Sequence, residues 1–283
     1  MKKLKFRYAL RIEFDMPVTQ HSFTVRCLPV SDERQAILQQ NIHILPKEFL
    51  SENRDSFGNI YFFGRTEAPH NLFEVVTEGI AQTGLAKGTK AEEEYRLGMF
   101  LGQTFYTKPD EALKAFFDGM KIPAGTRLQK SQFIMEAIRE KFAYVSGVTN
   151  ISTTAAQAWK MKQGVCQDYS HIMLSLCRMA GIPCRYVAGM LIGEGLSHAW
   201  VEIEEDGMWY GLDPTNGTEV LEDHIKISHG RDYEDCLINQ GVFTGLAKQS
   251  QSISVSVMEE VEETKEGKEK HDHINSQCTS SSR

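Results

Sequence analysis

The stretch GVCQDYSHIMLSLCRMAGIPCRYVAGM, residues 164–190, changes its hydrophobic period from helical to extended within a single run. Tyr169, Ile172, Met173, Leu176 and Ala180 recur three or four apart, which is the spacing of one face of an amphipathic helix. Gly181 before Ile182-Pro183 ends that helix, and from Cys184 the period falls to two, the mark of a strand. Cys166 opens the helix after a Gly-Val turn. A sulfur there faces the unpaired N–H groups of the first turn and the positive end of the helix dipole, which favour thiolate over thiol. Position alone does not separate a nucleophile from a small buried cysteine, so the rest of the chain has to decide.

Downstream, SHAWVEIEE alternates so that His198, Trp200 and Glu202 share one face and Ala199, Val201 and Ile203 the other. Asp206-Gly207 reads as a tight turn, and MWYGLDP as the returning strand that Pro214 ends. With Asp206 and Gly207 as the two central residues, paired positions sum to 413, and His198 and Asp213 become diagonal neighbours on one face. A four-residue loop sets them directly opposite, whereas a three-residue loop sends them to opposite faces. Each residue alone has an ordinary explanation, a strand histidine and a strand-ending aspartate. Jointly, Cys166, His198 and Asp213 supply a nucleophile, a proton carrier and a group that fixes the imidazole tautomer.

Upstream, from Leu4 to about Ala81, the chain reads in β-rich runs such as KFRYALRIEF, SFTVRCLPV and NIYFFGR. The turn DSFGN places Gly58 and Asn59 where positive φ costs least. Residues 1–82 are therefore expected to form an all-β, sandwich-like domain. AEEEYRLGMFLGQTF and PDEALKAFFDGM, the latter bounded by Pro109 and Gly119, predict a helical linker over 83–130. SQFIMEAIREKFAY (131–144) puts Phe133, Ile134, Ala137, Ile138 and Phe142 on one stripe with Ser131 as cap, and TTAAQAWKMKQG (153–164) predicts a helix ended by Gly164. Helices followed by the strands CRYVAGMLIG, SHAWVEIEE, GMWYGLDP and SISVSVMEE make 131–258 one α+β unit, its helices packed on an antiparallel sheet. Residues 259–283 have almost no large apolar side chains and are expected to be a disordered tail, with His271 and His273 solvated.

With 31 Lys and Arg against 38 Asp and Glu, the formal charge is −7, so no chain-wide basic field draws nucleic acid or an anionic membrane. No window approaches the roughly 18 uninterrupted apolar residues of a membrane helix. Arg11, Glu13 and Asp15 interrupt the opening run before it becomes an export signal, so a soluble, cytoplasmic protein is expected. Six cysteines without CxxC spacing argue against structural zinc and a disulfide framework, and no metal or organic cofactor is expected.

GVCQDYSH, GIPCRYVAG, SHAWVEI and GLDPTN, four ordered blocks within about fifty residues, together resemble the core of the transglutaminase-like superfamily of papain-like thiol enzymes. HGRDYEDC, SISVSV and the β-rich start with DSFGN are similar to its bacterial branch, which carries an N-terminal β domain. The resemblance implies that Cys166 attacks a carboxamide, His198 shuttles the proton, Asp213 orients His198, and a thioester is then resolved. Water as the resolving nucleophile gives amide or peptide hydrolysis, the expected reaction on a protein or peptide substrate. An amine gives a glutamine crosslink, and a catalytically inactive binding module of the same fold is the third alternative. The oxyanion expects the backbone N–H of Cys166 as first donor, and Gln157, Trp159 or Gln163 as second, with spacing singling none of them out. Asp168 is read as a helix cap, Cys177, Cys184, His171 and Met173 as packing, and Arg231, Asp232 and Tyr233 as bracing for the cleft wall.

Overall fold

The computed structural model describes residues 1–91 and 94–260. Leu4, Phe6, Tyr8, Leu10, Ile12 and Phe14 are buried while Lys5, Arg7, Arg11 and Glu13 between them are exposed, a period of two that makes a strand. That strand, β1 (Lys2–Val25), runs for 24 residues, so two runs that the sequence presents separately are one bent element. The bend falls where its ladder shifts between Glu13 and Val18, around Pro17, which lacks an N–H, and next to Gln20 at φ +49°. β2 (Gln35–Leu45), β3 (Phe49–Arg54), β4 (Ile60–Thr66) and β5 (His70–Thr83) complete the N-terminal β region. The first half of β1 pairs with β5, the second half with β4, while β2 joins β5 and β3 joins β4.

β3 and β4 form the hairpin read from DSFGN. Gly58 takes positive φ there, but Asn59 does not. Asp55 Oδ1 accepts from the N–H groups of Phe57 and Asn59, and the Asn59 amide exchanges two hydrogen bonds with the backbone of His229, at 2.7 and 2.9 Å. Asn59 therefore ties the β region to the second half of the chain.

That second half begins earlier than expected. β6 (Gly88–Lys90) is an edge strand of its sheet, and the helical content of 83–130 shrinks to α1 (Glu94–Leu97), a 3-10 turn at Gly98–Phe100 and α2 (Glu111–Gly119). Gly98 and Gly102 weaken the run that AEEEYRLGMFLGQTF suggested. α2 begins as read, with Asp110 accepting from the Leu113 N–H at 2.9 Å. α3 (Arg127–Arg139) starts four residues before Ser131, because Thr126 and Gln129 form a reciprocal capping box. Ser131 lies buried inside it, 3.7 Å from the Cys177 sulfur, and Phe133 points outward at 38% exposure, leaving Ile134, Met135 and Ile138 to the core. β7 (Ala143–Tyr144) precedes α4 (Ala155–Met161), which a second box of Thr154 and Gln157 starts. α4 is ended by Lys162 at φ +57° before β8 (Gln163–Gly164), not by Gly164.

α5 (Cys166–Met179) starts at Cys166 and turns off at Gly181, as the sequence implies. β9 (Cys184–Leu191), β10 (Gly193–Gly195), β11 (His198–Glu205), β12 (Met208–Asp213), β13 (Thr218–Glu219) and β14 (His224–Gly230) follow. The antiparallel order is β13-β12-β11-β9-β14, with β6 beside β12. Ile172, Leu176 and Cys177 of α5 share a core with Ala199, Val201 and Ile203 of β11 and with Ile134 and Ile138 of α3, giving helices packed on one face of the sheet. The result is an α+β fold with an N-terminal β region.

β15 (Asn239–Thr244) and β16 (Gln249–Glu259) correct the expected 131–258 unit. Both pair with β1 and belong to the N-terminal β region. The open edge of β1 offers β16 a full ladder from Leu4 to Phe14, and Val255 and Val257 enter the core with Phe6 and Tyr8. Met190, Ile225 and Ile227 of the β9–β14 sheet enter that same core, so the two halves share apolar packing. Glu259 remains in β16, and residues 261–283, with His271 and His273, lie outside the described residues. Among the described residues no helix is long and apolar enough to cross a membrane.

Gly189, on β9 between β11 and β14, has no room for a side chain: a Cβ there meets the Ile225 carbonyl at 2.3 Å and the Trp200 ring at 2.4 Å. Gly189→Ala is expected to lower stability by about 1–3 kcal/mol, read as a lower urea midpoint at unchanged slope. An unchanged midpoint contradicts the close packing of Trp200 on β9.

Candidate active site

The turn between β11 and β12 sets the site. Asp206 and Gly207 both take positive φ, 51° and 78°, the pattern of a two-residue turn whose twist suits the flanking strands. The ladder runs from Glu205↔Met208 to Val201↔Leu212, each pair summing to 413 as in the two-residue reading. His198 and Asp213 then share a face, and His198 Nε2 lies 2.7 Å from Asp213 Oδ2.

Asp213 is completely buried, and its carboxylate is held from several sides. The N–H groups of Thr215 and Asn216 donate to Oδ1 at 3.0 and 3.2 Å, and the Asn216 side-chain amide donates to Oδ2 at 2.7 Å. His224, the first residue of β14, brings a second imidazole to Oδ2 at 3.3 Å. Burial works against the charged carboxylate, yet the hydrogen bonds from His198 and His224 outweigh it and hold Asp213 well below the usual carboxylate range. His224, buried and neutral because burial pushes its pKa down, packs edge-on against Trp200. The sequence reading did not single out Asn216, although its place three residues after Asp213 in GLDPTN was a signal that could have found it. His224 was not, because only the sheet order brings β14 near Asp213.

Cys166 stands at the first position of α5, half-buried, and lines the same cleft as His198. Since Nε2 is engaged by Asp213, Nδ1 is the ring nitrogen left for another partner. Burial disfavours the imidazolium, but hydrogen bonds to Asp213 and Cys166 override it and raise the His198 pKa to about 10. The structure thus brings Cys166 and His198 to one cleft and joins His198 to Asp213.

The upstream oxyanion candidates do not reach it. Gln157 is exposed, and its side-chain oxygen accepts from the Thr154 N–H at 2.9 Å in the capping box of α4. Trp159 is buried against Phe116, ring centroids 4.2 Å apart, with Lys162 Nζ over its face at 3.0 Å. Gln163 sits in β8 beside Ala143. None of the three lines the cleft around Cys166, so the backbone N–H of Cys166 is the one expected donor left in place. Tyr186 of β9 does line it, a buried phenol whose pKa burial raises first and the nearby Cys166 charge raises further.

The remaining residues take structural places. Asp168 Oδ2 accepts from the Val165 N–H at 2.8 Å and the Thr149 hydroxyl at 2.7 Å, capping α5. His171 is fully buried, accepts from the Tyr233 N–H at 3.2 Å, and burial lowers its pKa to about 3. Met173, Cys177 and Cys184 are core. Arg231 pairs with Asp235 at 2.8 Å and not with Asp232, which caps the Glu234 N–H, while Tyr233 lines the cleft. No zinc cluster joins Cys166, His171 and Cys177 among the described residues. The donors with metal-ligating chemistry are His198, Asp213 and His224, within 4.8 Å of one another, with both imidazoles already turned to Asp213.

Residues 114–214 match the transglutaminase-like superfamily, and residues 4–82 match the bacterial transglutaminase-like N-terminal region. A crystal structure of a candidate cysteine protease from Cytophaga hutchinsonii superposes with a TM-score of 0.76 at 22% identity, covering 93% of this chain and 92% of that one. An uncharacterized protein of Mycobacterium leprae is 26% identical over 91% of this chain and 99% of its own length. One from Mycobacterium tuberculosis is 26% identical over 74% of this chain and 77% of its own length.

Because the folded His198 titrates above the 6.5 of a free imidazole, its ion pair stabilises the fold fully below about pH 6.5 and stops doing so as pH rises through about 10. A ring-nitrogen NMR titration should therefore show His198 changing near pH 10 in the native protein and well below that in Asp213→Asn. Titration near 6.5 in the native protein contradicts the ion pair.

Proposed function

We propose, on the premise that this chain carries a transglutaminase-like core behind a bacterial transglutaminase-like N-terminal region, that it is a thiol enzyme which hydrolyses carboxamide bonds in a protein or peptide. The observation that carries this reading is a single imidazole, His198, bonded to a buried carboxylate and lining the same cleft as the helix-start sulfur of Cys166.

The thiolate of Cys166 adds to the carbonyl carbon, forming the C–S bond and moving an electron pair to oxygen. The Cys166 N–H at the start of α5 is the donor to that oxyanion in this reading. Collapse breaks the C–N bond as the His198 imidazolium gives its proton to the leaving nitrogen, leaving a thioester and neutral imidazole. Neutral His198 then takes a proton from water, whose oxygen displaces the thiolate and yields a carboxylic acid. Asp213 keeps the ring oriented and compensates its charge in both half-reactions.

Water is favoured as acceptor because a lysine amine arrives as a cation, and among the described residues no Asp or Glu lines the cleft to receive it. An inactive binding module has no use for an imidazole bonded to a buried carboxylate in the same cleft as a helix-start cysteine.

Incubating the protein with a glutamine-containing peptide, with and without a primary amine, and weighing the products tests the reading. The expected product is the hydrolysed acid in both cases, and an amine adduct in its place overturns hydrolysis in favour of crosslinking. Cys166→Ala should abolish turnover with the fold intact, and Asp213→Asn should lower kcat by on the order of 10²-fold or more. Full turnover by Cys166→Ala removes the mechanism.

A further inference from the structure

Both halves of the molecule build the cleft around Cys166. Its volume is about 390 Å³, and its walls include Tyr8 of β1 and Ile253 of β16 as well as segments of the catalytic half. Tyr144, Ile151 and Leu196 stand on its walls as large apolar side chains that are 55%, 64% and 68% exposed. Exposure on that scale, gathered at one nucleophile, leaves apolar area for a ligand to cover. The polar groups that line it are neutral, such as the amides of Asn239 and Gln251, and the Tyr8 hydroxyl beneath them is buried without a hydrogen-bond partner. Apart from the Cys166–His198 pair, no charged side chain lines this cleft among the described residues.

Charge is not scarce elsewhere on the same chain. A second cavity of about 300 Å³ is lined by Arg54, Lys90, Arg185 and Lys226 together with Asp32 and Glu33. The neutrality of the Cys166 cleft is thus a property of that site and not of the chain's composition.

We infer, building on the acyl-transfer reading, that the substrate segment is uncharged, with apolar or aromatic side chains beside the scissile carboxamide, and that Leu196 and Ile151 set this preference. A charged side chain entering the cleft sheds water and finds no opposite charge, whereas an apolar one covers Leu196, Ile151 and Tyr144 and gains by burial. Neutral amides on the walls suit the backbone of a peptide and discriminate little between side chains.

Alkylation of Cys166 by three iodoacetamides, carrying N-phenethyl, N-carboxyethyl or N-aminoethyl groups, tests this, with each rate divided by that of a free small thiol. The phenethyl reagent should be faster than both charged reagents by about tenfold or more. Leu196→Lys, a change at an exposed position, should cut that advantage and raise the carboxyethyl rate relative to the aminoethyl rate. Fast alkylation of Cys166 with equal normalised rates for all three reagents overturns the inference and leaves the acyl-transfer reading standing. Alkylation of Cys166 no faster than that of the free thiol by any reagent overturns the acyl-transfer reading, and this inference with it.

Discussion

A carboxylate that is fully removed from water has to be compensated where it stands, and Asp213 imposes that condition on everything around it. Two backbone N–H groups and an amide from the turn that follows it hold the carboxylate still. What remains is met by imidazole, and the Asp206-Gly207 turn decides which one comes closest, because its register puts His198 on the same face. Fixing His198 through Nε2 sets the orientation of the imidazole that lines the cleft with Cys166, so that orientation follows from the need to neutralise a buried charge.

The N-terminal β region is part of this arrangement. β1 supplies Tyr8 to the cleft, and β16, added to the edge of β1 by the end of the described chain, supplies Gln251 and Ile253. β10, just before His198, pairs with β16 at Gly193, Glu194 and Gly195, which anchors the approach to β11 on the other half of the molecule. A shared apolar core and the Asn59–His229 amide exchange fix the two halves further. Loss of the β region would therefore alter one wall of the cleft and the support of the strand that begins at His198.

What was legible in the sequence was local. Cys166 at a helix start follows from a Gly-Val turn and a clean apolar period, and the His198–Asp213 relation follows from one two-residue turn and arithmetic. What failed depended on choices between nearby alternatives or on contacts distant in sequence. Ser131 looked like a cap, but Thr126 with Gln129 offered two reciprocal hydrogen bonds where Ser131 offered one. Gln157 and Trp159 carry side-chain donors of the right kind, yet one is spent on its own helix cap and the other on core packing, uses that chemical type alone does not distinguish. SISVSV alternates correctly for a strand, but nothing in alternation says which sheet has an open edge. His224 reaches Asp213 only through the order of strands in the sheet.

The most direct measurement is to trap the acyl group. Brief exposure to an active ester of an apolar acid, followed by acid quench and peptide mapping by mass, locates any covalent adduct. The account predicts one acyl group, on Cys166, lost on treatment with hydroxylamine and formed far more slowly in His198→Ala. An adduct on another residue, or equal acylation of Cys166 without His198, contradicts it.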